Sequence, residues 1–254
     1  MQLCILQTSY QPFLDLAVRP AIGLSLTRMN AISPNEFTAA TETIESGHPD
    51  VTGFTHRTIG EANQDVDQAV KLYYAVRDEI RYDPYRVDLT PAGLKATTTL
   101  QTRRGWCVSK AILLAACSRS LGIPARLGFA DVRNHLSTAR LRETMGTDIF
   151  YWHGYTEMFL DGKWVKATPA FNIELCRKFR LLPLEFDGRN DSLYHPFDEQ
   201  GNRHMEYVNN RGVYADVPIA EIAQTFQREY RFAQSQPELT RESFDADVDQ
   251  ETAS

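Results

Sequence analysis

The sequence has few of the features that mark membrane, nucleic-acid-binding or disulfide-rich proteins. Its 254 residues contain no run of 18 apolar residues and no cluster of Lys and Arg that would attract a polyanion. Only four cysteines occur, and none forms a C-x-x-C pair or another zinc-ligand spacing. We therefore expect reduced thiols, no membrane or nucleic-acid partner, and neither a metal nor an organic cofactor. The oligomeric state stays open.

The charge of the chain is concentrated near its C-terminal end. The formal net charge is −6, yet residues 237–254 hold six acidic side chains against Arg241, so the rest of the chain is nearly neutral. We predict a disordered acidic tail over 237–254 and an N-terminal extension of uncertain order over 1–28. A folded domain is expected over 29–236, with its core at 65–172 and a polar part at 173–236. The first residues lack the pattern of a secretion signal, which predicts a cytoplasmic protein.

Three stretches have helical character. Apolar residues recur at three- and four-residue steps between Ile59 and Tyr82, which predicts one amphipathic helix. The stretch from Val108 to Leu121 is apolar on every side at its centre, so this second helix should be buried. Gly122 and Pro124 then end it, and a strand is expected over 125–130. A last helix is predicted over 219–232.

A β-hairpin follows in the sequence. Two segments rich in aromatic and β-branched residues, 150–160 and 163–168, flank Asp161-Gly162, which is a strong signal for a two-residue type I′ turn. This turn pairs residues whose numbers sum to 323, so Thr168 lies opposite Tyr155 and diagonally across from His153. Helices followed by an antiparallel sheet predict the α+β class, with the buried helix packed on the sheet.

Cys107 opens the buried helix and follows Arg103-Arg104-Gly105-Trp106. The positive end of the helix favours a thiolate, and we expect it to lower the thiol pKa below its free value of about 8.5. A lone cysteine is more often a small core residue, so a second element is needed. His153 supplies it as a candidate general base, with the residue at position 168 fixing the orientation of its ring.

At this point the chain resembles the transglutaminase-like superfamily of papain-fold Cys-His-Asp enzymes. The resemblance covers about residues 65–172 and rests on Gly105-Trp106-Cys107, Gly122-Ile123-Pro124-Ala125-Arg126, His153-x-Tyr-x-Glu157, Asp161-Gly162-x-Trp164 and Thr168-Pro169. It implies a papain-like fold and acyl transfer through a thioester, as hydrolysis or transamidation of a peptide, a protein side chain or a small amide. It assigns Cys107 as the nucleophile and His153 as the general base and acid.

The third catalytic position departs from the family, which usually has Asp there, whereas this chain has Thr168. A threonine hydroxyl can accept a hydrogen bond from the imidazole, but it cannot stabilise the imidazolium as a carboxylate does. Asn172 is a second candidate for this orienting role. For the oxyanion we expect the backbone N–H of Cys107, with Gln101 as a weaker candidate because papain relatives place a glutamine six residues before the cysteine.

Two other functions compete with a cysteine hydrolase or acyltransferase. A catalytically inactive binding module is supported by Thr168, and acetyl transfer from coenzyme A by an arylamine N-acetyltransferase-like enzyme is supported by the Arg-Gly approach to Cys107. The polar stretch between Asp187 and Glu206 also contains acidic residues and histidines, but none of its spacings matches a recognised metal site.

Overall fold

The computed structural model describes residues 33–134, 137–193, 200, 205–231 and 243–253, so the extension expected over 1–28 lies outside the described residues. After a short 3₁₀ helix, Pro34–Phe37, the helices are α1 (Pro49–Ile59), α2 (Asp65–Glu79), α3 (Ala96–Thr102), α4 (Cys107–Ser120), α5 (Ala139–Met145), α6 (Ile173–Lys178), α7 (Ile219–Glu229) and α8 (Phe244–Thr252). The strands are β1 (Arg81–Tyr82), β2 (Arg104–Gly105), β3 (Ala125–Asn134), β4 (Ile149–Leu160), β5 (Lys163–Ala167) and β6 (Met205–Tyr214).

Four of the strands form an antiparallel sheet in the order β5-β4-β3-β6, and β1 pairs with β2 in a parallel two-stranded ladder. Helices α1 to α4 precede the larger sheet in the chain, and α4 and α7 pack on β4, which confirms the predicted α+β class. None of the helices in the described part of the chain is both long and apolar enough to cross a membrane.

Helix α4 is the centre of the core, as predicted. Its residues from Cys107 to Arg119 are all buried. The helix packs on β4, where the Thr156 hydroxyl donates to the Ala111 carbonyl at 2.8 Å. It ends before Gly122, which has a φ of 79° that only glycine adopts without strain. Cys107, the nucleophile candidate, is therefore the first residue of a buried helix.

The single helix expected over 59–82 is wrong in its bounds. The preceding helix, α1, ends at Ile59, and Gly60 follows it with a φ of 55°. A new helix then begins at Asp65. The three- and four-residue apolar spacing continues across the break, which is why the sequence pattern does not reveal it.

The hairpin forms as predicted. Leu160 pairs with Lys163 and Thr156 with Ala167, so the paired numbers sum to 323. Asp161 and Gly162 have φ values of 47° and 83°, the left-handed pair of a type I′ turn. The ladder, however, ends at Ala167, one residue before Thr168.

Strand β3 is longer than the predicted strand at 125–130, because β6 pairs along its other edge. The polar composition of β6 gives little strand signal. Helix α7 occupies Ile219–Glu229 of the helix predicted over 219–232.

The disorder predicted for the acidic tail is contradicted over residues 243–253, where helix α8 forms. Phe244 and Val248, one helical turn apart, are buried. The Phe244 ring meets the Tyr85 ring at 5.5 Å. Asp245 pairs with Arg104 at 3.1 Å, and Asp247 accepts a hydrogen bond from the Tyr85 hydroxyl at 2.6 Å. The acidic residues thus have partners on the domain, which sequence composition does not show.

Candidate active site

Cys107 lies at the wall of a small apolar cavity. The segment before it is fixed by the β1–β2 ladder, in which Tyr82 pairs with Gly105 and the Asp83 N–H donates to the Gly105 carbonyl at 3.0 Å. The cavity has a volume of about 40 Å³ and its other lining residues are Tyr82, Pro84, Val87, Trp106, Leu141, Met145, Phe150, Tyr151, His153, Phe226 and Tyr230. Cys107 itself is only 5% exposed.

The thiol does not have the lowered pKa that its place at the helix start predicts. Burial raises the pKa of Cys107 to about 11, although hydrogen bonds from the backbone N–H groups of Gly154, Val108 and Cys107 act in the opposite direction. Desolvation of the thiolate is the larger effect here. The resting thiol is therefore protonated near neutral pH, and its ionisation requires a base.

The two arginines before Cys107 do not offset this cost. Arg103 pairs with Glu79 at 3.2 Å, and Arg104 pairs with Asp83 and Asp245 at 3.5 and 3.1 Å. Both guanidinium groups are therefore paired with carboxylates. These ion pairs are tertiary contacts that the local sequence around Cys107 does not reveal.

The described cysteines still differ in the direction expected. Burial raises the pKa of Cys117 and of Cys176 to about 12, which is above that of Cys107. All three are buried free thiols. Cys4 lies outside the described residues. Preferential labelling of Cys107 among these thiols stays a prediction.

The structure brings His153 to the same cavity as Cys107. His153 lies on β4 and is 4% exposed. It also lines a second cavity, where Tyr155 and Lys166 are among its neighbours. The nucleophile and base candidates therefore line one cavity, and their joint action in catalysis stays a prediction.

A bulge in β4 sets the direction of the strand just before His153. Trp152 has a φ of 58°, an uncommon conformation for a bulky residue, and the β3–β4 register shifts between Ala130 and Val132. The buried Asp131 carboxylate accepts the Trp152 N–H at 3.1 Å, and Arg211 donates to the same carboxylate at 2.9 Å. Asp131 was not predicted as a site residue, because its only signal in the sequence is an acidic residue within an apolar strand.

Thr168 does not orient His153 as predicted. Its side chain is 3% exposed, and its hydroxyl makes no hydrogen bond with any residue that the structure describes. The Thr168 N–H donates to the Ser192 carbonyl at 2.8 Å, so the chain has left the hairpin ladder at this point. The diagonal geometry assumed a regular ladder through residue 168, and β5 ends at Ala167.

The two secondary candidates also have other places. Asn172 is buried, and its Oδ1 accepts the Tyr82 N–H at 3.1 Å, so it holds the β1 segment and does not line the Cys107 cavity. Gln101 is exposed on α3 and is absent from the cavity lining. Neither position supports the role that the papain pattern suggested.

The polar stretch considered for metal binding is only partly described. Asp187 accepts hydrogen bonds from Asn190 and from the Arg189 N–H, and Asp191 pairs with Lys166 at 3.7 Å. His195, Asp198 and His204 lie outside the described residues. Within the described ranges, no group of three or more His, Cys, Asp and Glu side chains is placed to hold a metal ion.

Comparison with known proteins agrees with the resemblance. Residues 52–169 match the family model described as the transglutaminase-like superfamily. A search of curated proteins finds no match. The chain is similar in structure to a candidate cysteine protease from Cytophaga hutchinsonii, with 16% identity, a TM-score of 0.45, and coverage of 73% of this chain and 48% of that one.

A second similar structure is a candidate protease from Parabacteroides distasonis. Its identity is 15% and its TM-score 0.34, and the match covers 53% of this chain and 25% of that one. The chain thus spans about half the length of the first of these proteins and a quarter of the second.

Proposed function

We propose that this chain is a cysteine-dependent amide hydrolase or acyltransferase, because residues 52–169 match the family model of the transglutaminase-like superfamily. It would act through a thioester on a peptide, a protein side chain or a small amide. The observation that carries the proposal is the shared cavity of Cys107, at the first residue of a buried helix, and His153. We place it in the cytoplasm, as the free thiols of the three described cysteines suggest.

The proposed chemistry starts from a neutral thiol. His153 takes the Sγ proton as the sulfur attacks the carbonyl carbon, and the resulting imidazolium gives that proton to the leaving amine. A thioester on Cys107 remains. Water then releases an acid, or a second amine releases a new amide. The backbone N–H of Cys107 is the donor that the helix start offers to the oxyanion.

The cavity must open for this reaction. A volume of about 40 Å³ holds only a few water molecules and no peptide segment. Part of its wall consists of Leu141 and Met145 of α5, Phe226 of α7 and the adjacent Tyr230. We propose that movement of this wall admits substrate and hydrates the sulfur. Hydration reduces the desolvation that raises the thiol pKa, so opening also activates the nucleophile.

The binding module remains the second candidate, because the Thr168 hydroxyl makes no hydrogen bond to His153. A panel of fluorogenic peptides and amides, tested with and without an added amine, separates the two functions. The proposal expects turnover by the wild type and loss of at least about 10³-fold in Cys107→Ser and in His153→Ala. Cys117→Ser is the matched control and should retain turnover. Saturable binding of a panel member without turnover, unaffected by Cys107→Ser, would support the module instead.

A further inference from the structure

Among the described glycines, Gly154 of β4 is the one whose added Cβ would lie within 3 Å of the backbone of the nucleophile helix. A Cβ built on Gly154 lies 2.9 Å from the Val108 Cα and 3.3 Å from the Val108 backbone nitrogen. Contacts below about 3 Å to backbone atoms do not occur in relaxed structures. Any side chain at this position must therefore separate β4 from the first turn of α4.

The backbone conformation does not explain the glycine. Gly154 is not among the residues with positive φ, unlike Gly122 or Gly162. Other residues could adopt its dihedral angles, so the close approach to Val108 is what excludes them. The neighbouring Thr156 lies on the same face of β4 and bonds to α4 through its hydroxyl, which marks this face as the contact with the helix.

We propose that Gly154 is a positioning residue for the nucleophile: its missing side chain lets β4 approach α4 closely enough for the Gly154 N–H to hold the Cys107 sulfur. The inference rests on the proposed role of Cys107. The same backbone hydrogen bond acts to lower the thiol pKa. One strand thus supplies both His153 and, at the next residue, a donor for the developing thiolate.

The first test is Gly154→Ala in the full chain, with the rate of Cys107 alkylation by iodoacetamide followed against pH. Alanine keeps the N–H but displaces the strand, so the hydrogen bond lengthens. We expect the kinetic pKa to rise by roughly one unit and alkylation at pH 8 to slow about tenfold. Gly128→Ala is the matched control, because its added Cβ would meet the Tyr155 ring and not α4. It should lower stability without changing the profile.

A second measurement does not depend on the folding of Gly154→Ala. In protein labelled with ¹⁵N-glycine, Cys107→Ala removes the acceptor, so the Gly154 amide proton should shift upfield and exchange faster with solvent. The Gly128 amide should stay unchanged. An unchanged Gly154 amide, or a Gly154→Ala profile identical to that of the wild type, would overturn the inference. Alkylation and amide exchange need no turnover, so these results are separate from failure of the proposed enzyme activity.

Discussion

Lys110→Met tests the junction that holds the nucleophile helix. Lys110 is fully buried on α4, one turn after Cys107. Its ammonium donates to the carbonyls of Arg77, Ile80 and Ala170 at 2.9, 2.6 and 2.7 Å. Arg77 lies in the last turn of α2 and Ile80 directly follows this helix, whereas Ala170 lies between β5 and α6. One side chain therefore ties three segments around the site.

The magnitude follows from what methionine leaves behind. Each buried carbonyl without a partner costs about 1–3 kcal/mol. Removal of a desolvated ammonium offsets part of this, since burial lowers the pKa of Lys110 well below its ordinary value. Methionine has a similar length and fills most of the space. We expect a net loss of about 3 kcal/mol, which corresponds to a fall in Tm of roughly 6–12 °C for a chain of this size.

Urea denaturation at pH 7 measures this loss, with the exposed Lys163→Met as control and an expected change within about 0.5 kcal/mol. Urea denaturation at a series of pH values tests the sign of the pH dependence of stability. Because the folded pKa of Lys110 is lowered, the unfolded chain binds the extra proton between that value and about 10.4, so wild-type stability rises with pH in this window. The gap to Lys110→Met should widen there. A variant as stable as the wild type would refute the reasoning and show that ammonium desolvation outweighs the three hydrogen bonds.

Three further outcomes are expected. Thr168→Val removes a buried hydroxyl that has no partner in the described chain, so stability should stay equal or rise by about 1 kcal/mol. The pH profile of Cys107 alkylation should not change. Slower alkylation with a shifted profile would show that Thr168 does orient His153. Asp131→Ala leaves the Trp152 N–H and Arg211 without their carboxylate partner. It should lower stability by about 3 kcal/mol in urea denaturation and slow turnover. Unchanged stability and turnover would show that the bulge needs no carboxylate. Burial raises the pKa values of the three described thiols, so their contribution to stability is complete below about pH 8.5. The free energy of unfolding should then fall as pH rises, by roughly 1–2 kcal/mol per thiol at pH 10. A variant with Cys117 and Cys176 replaced by alanine should show a smaller fall, and an equal fall would contradict this.

Local signals predicted much of the fold. The Asp161-Gly162 turn sets the hairpin register by its own backbone geometry, and the apolar run after Cys107 can form only a buried helix. These features need no knowledge of distant residues. The order of the chemical groups also led to the hypothesis that Cys107 and His153 belong to one site, and both residues line the same cavity.

Features that depend on distant contacts were not predictable in this way. The thiol pKa is raised by burial of Cys107, whose neighbours in the cavity come from distant parts of the chain. The end of β5 at Ala167 turns Thr168 toward Ser192. Helix α8 forms because Phe244 packs against Tyr82 and Tyr85 of the domain, although the composition of the helix alone indicates disorder. In each case a tertiary partner overrides the local pattern.

The central claim is that Cys107 forms an acyl intermediate with His153 as its base. Incubation with p-nitrophenyl acetate, followed by intact-mass measurement and peptide mapping, tests it directly because the probe is small and its leaving group needs no protonation. We predict one acetyl group on Cys107 in the wild type, none on Cys107→Ser, and acetylation slowed at least about 100-fold in His153→Ala near neutral pH. Acetylation of another residue first, or an equal rate in His153→Ala, would contradict the account.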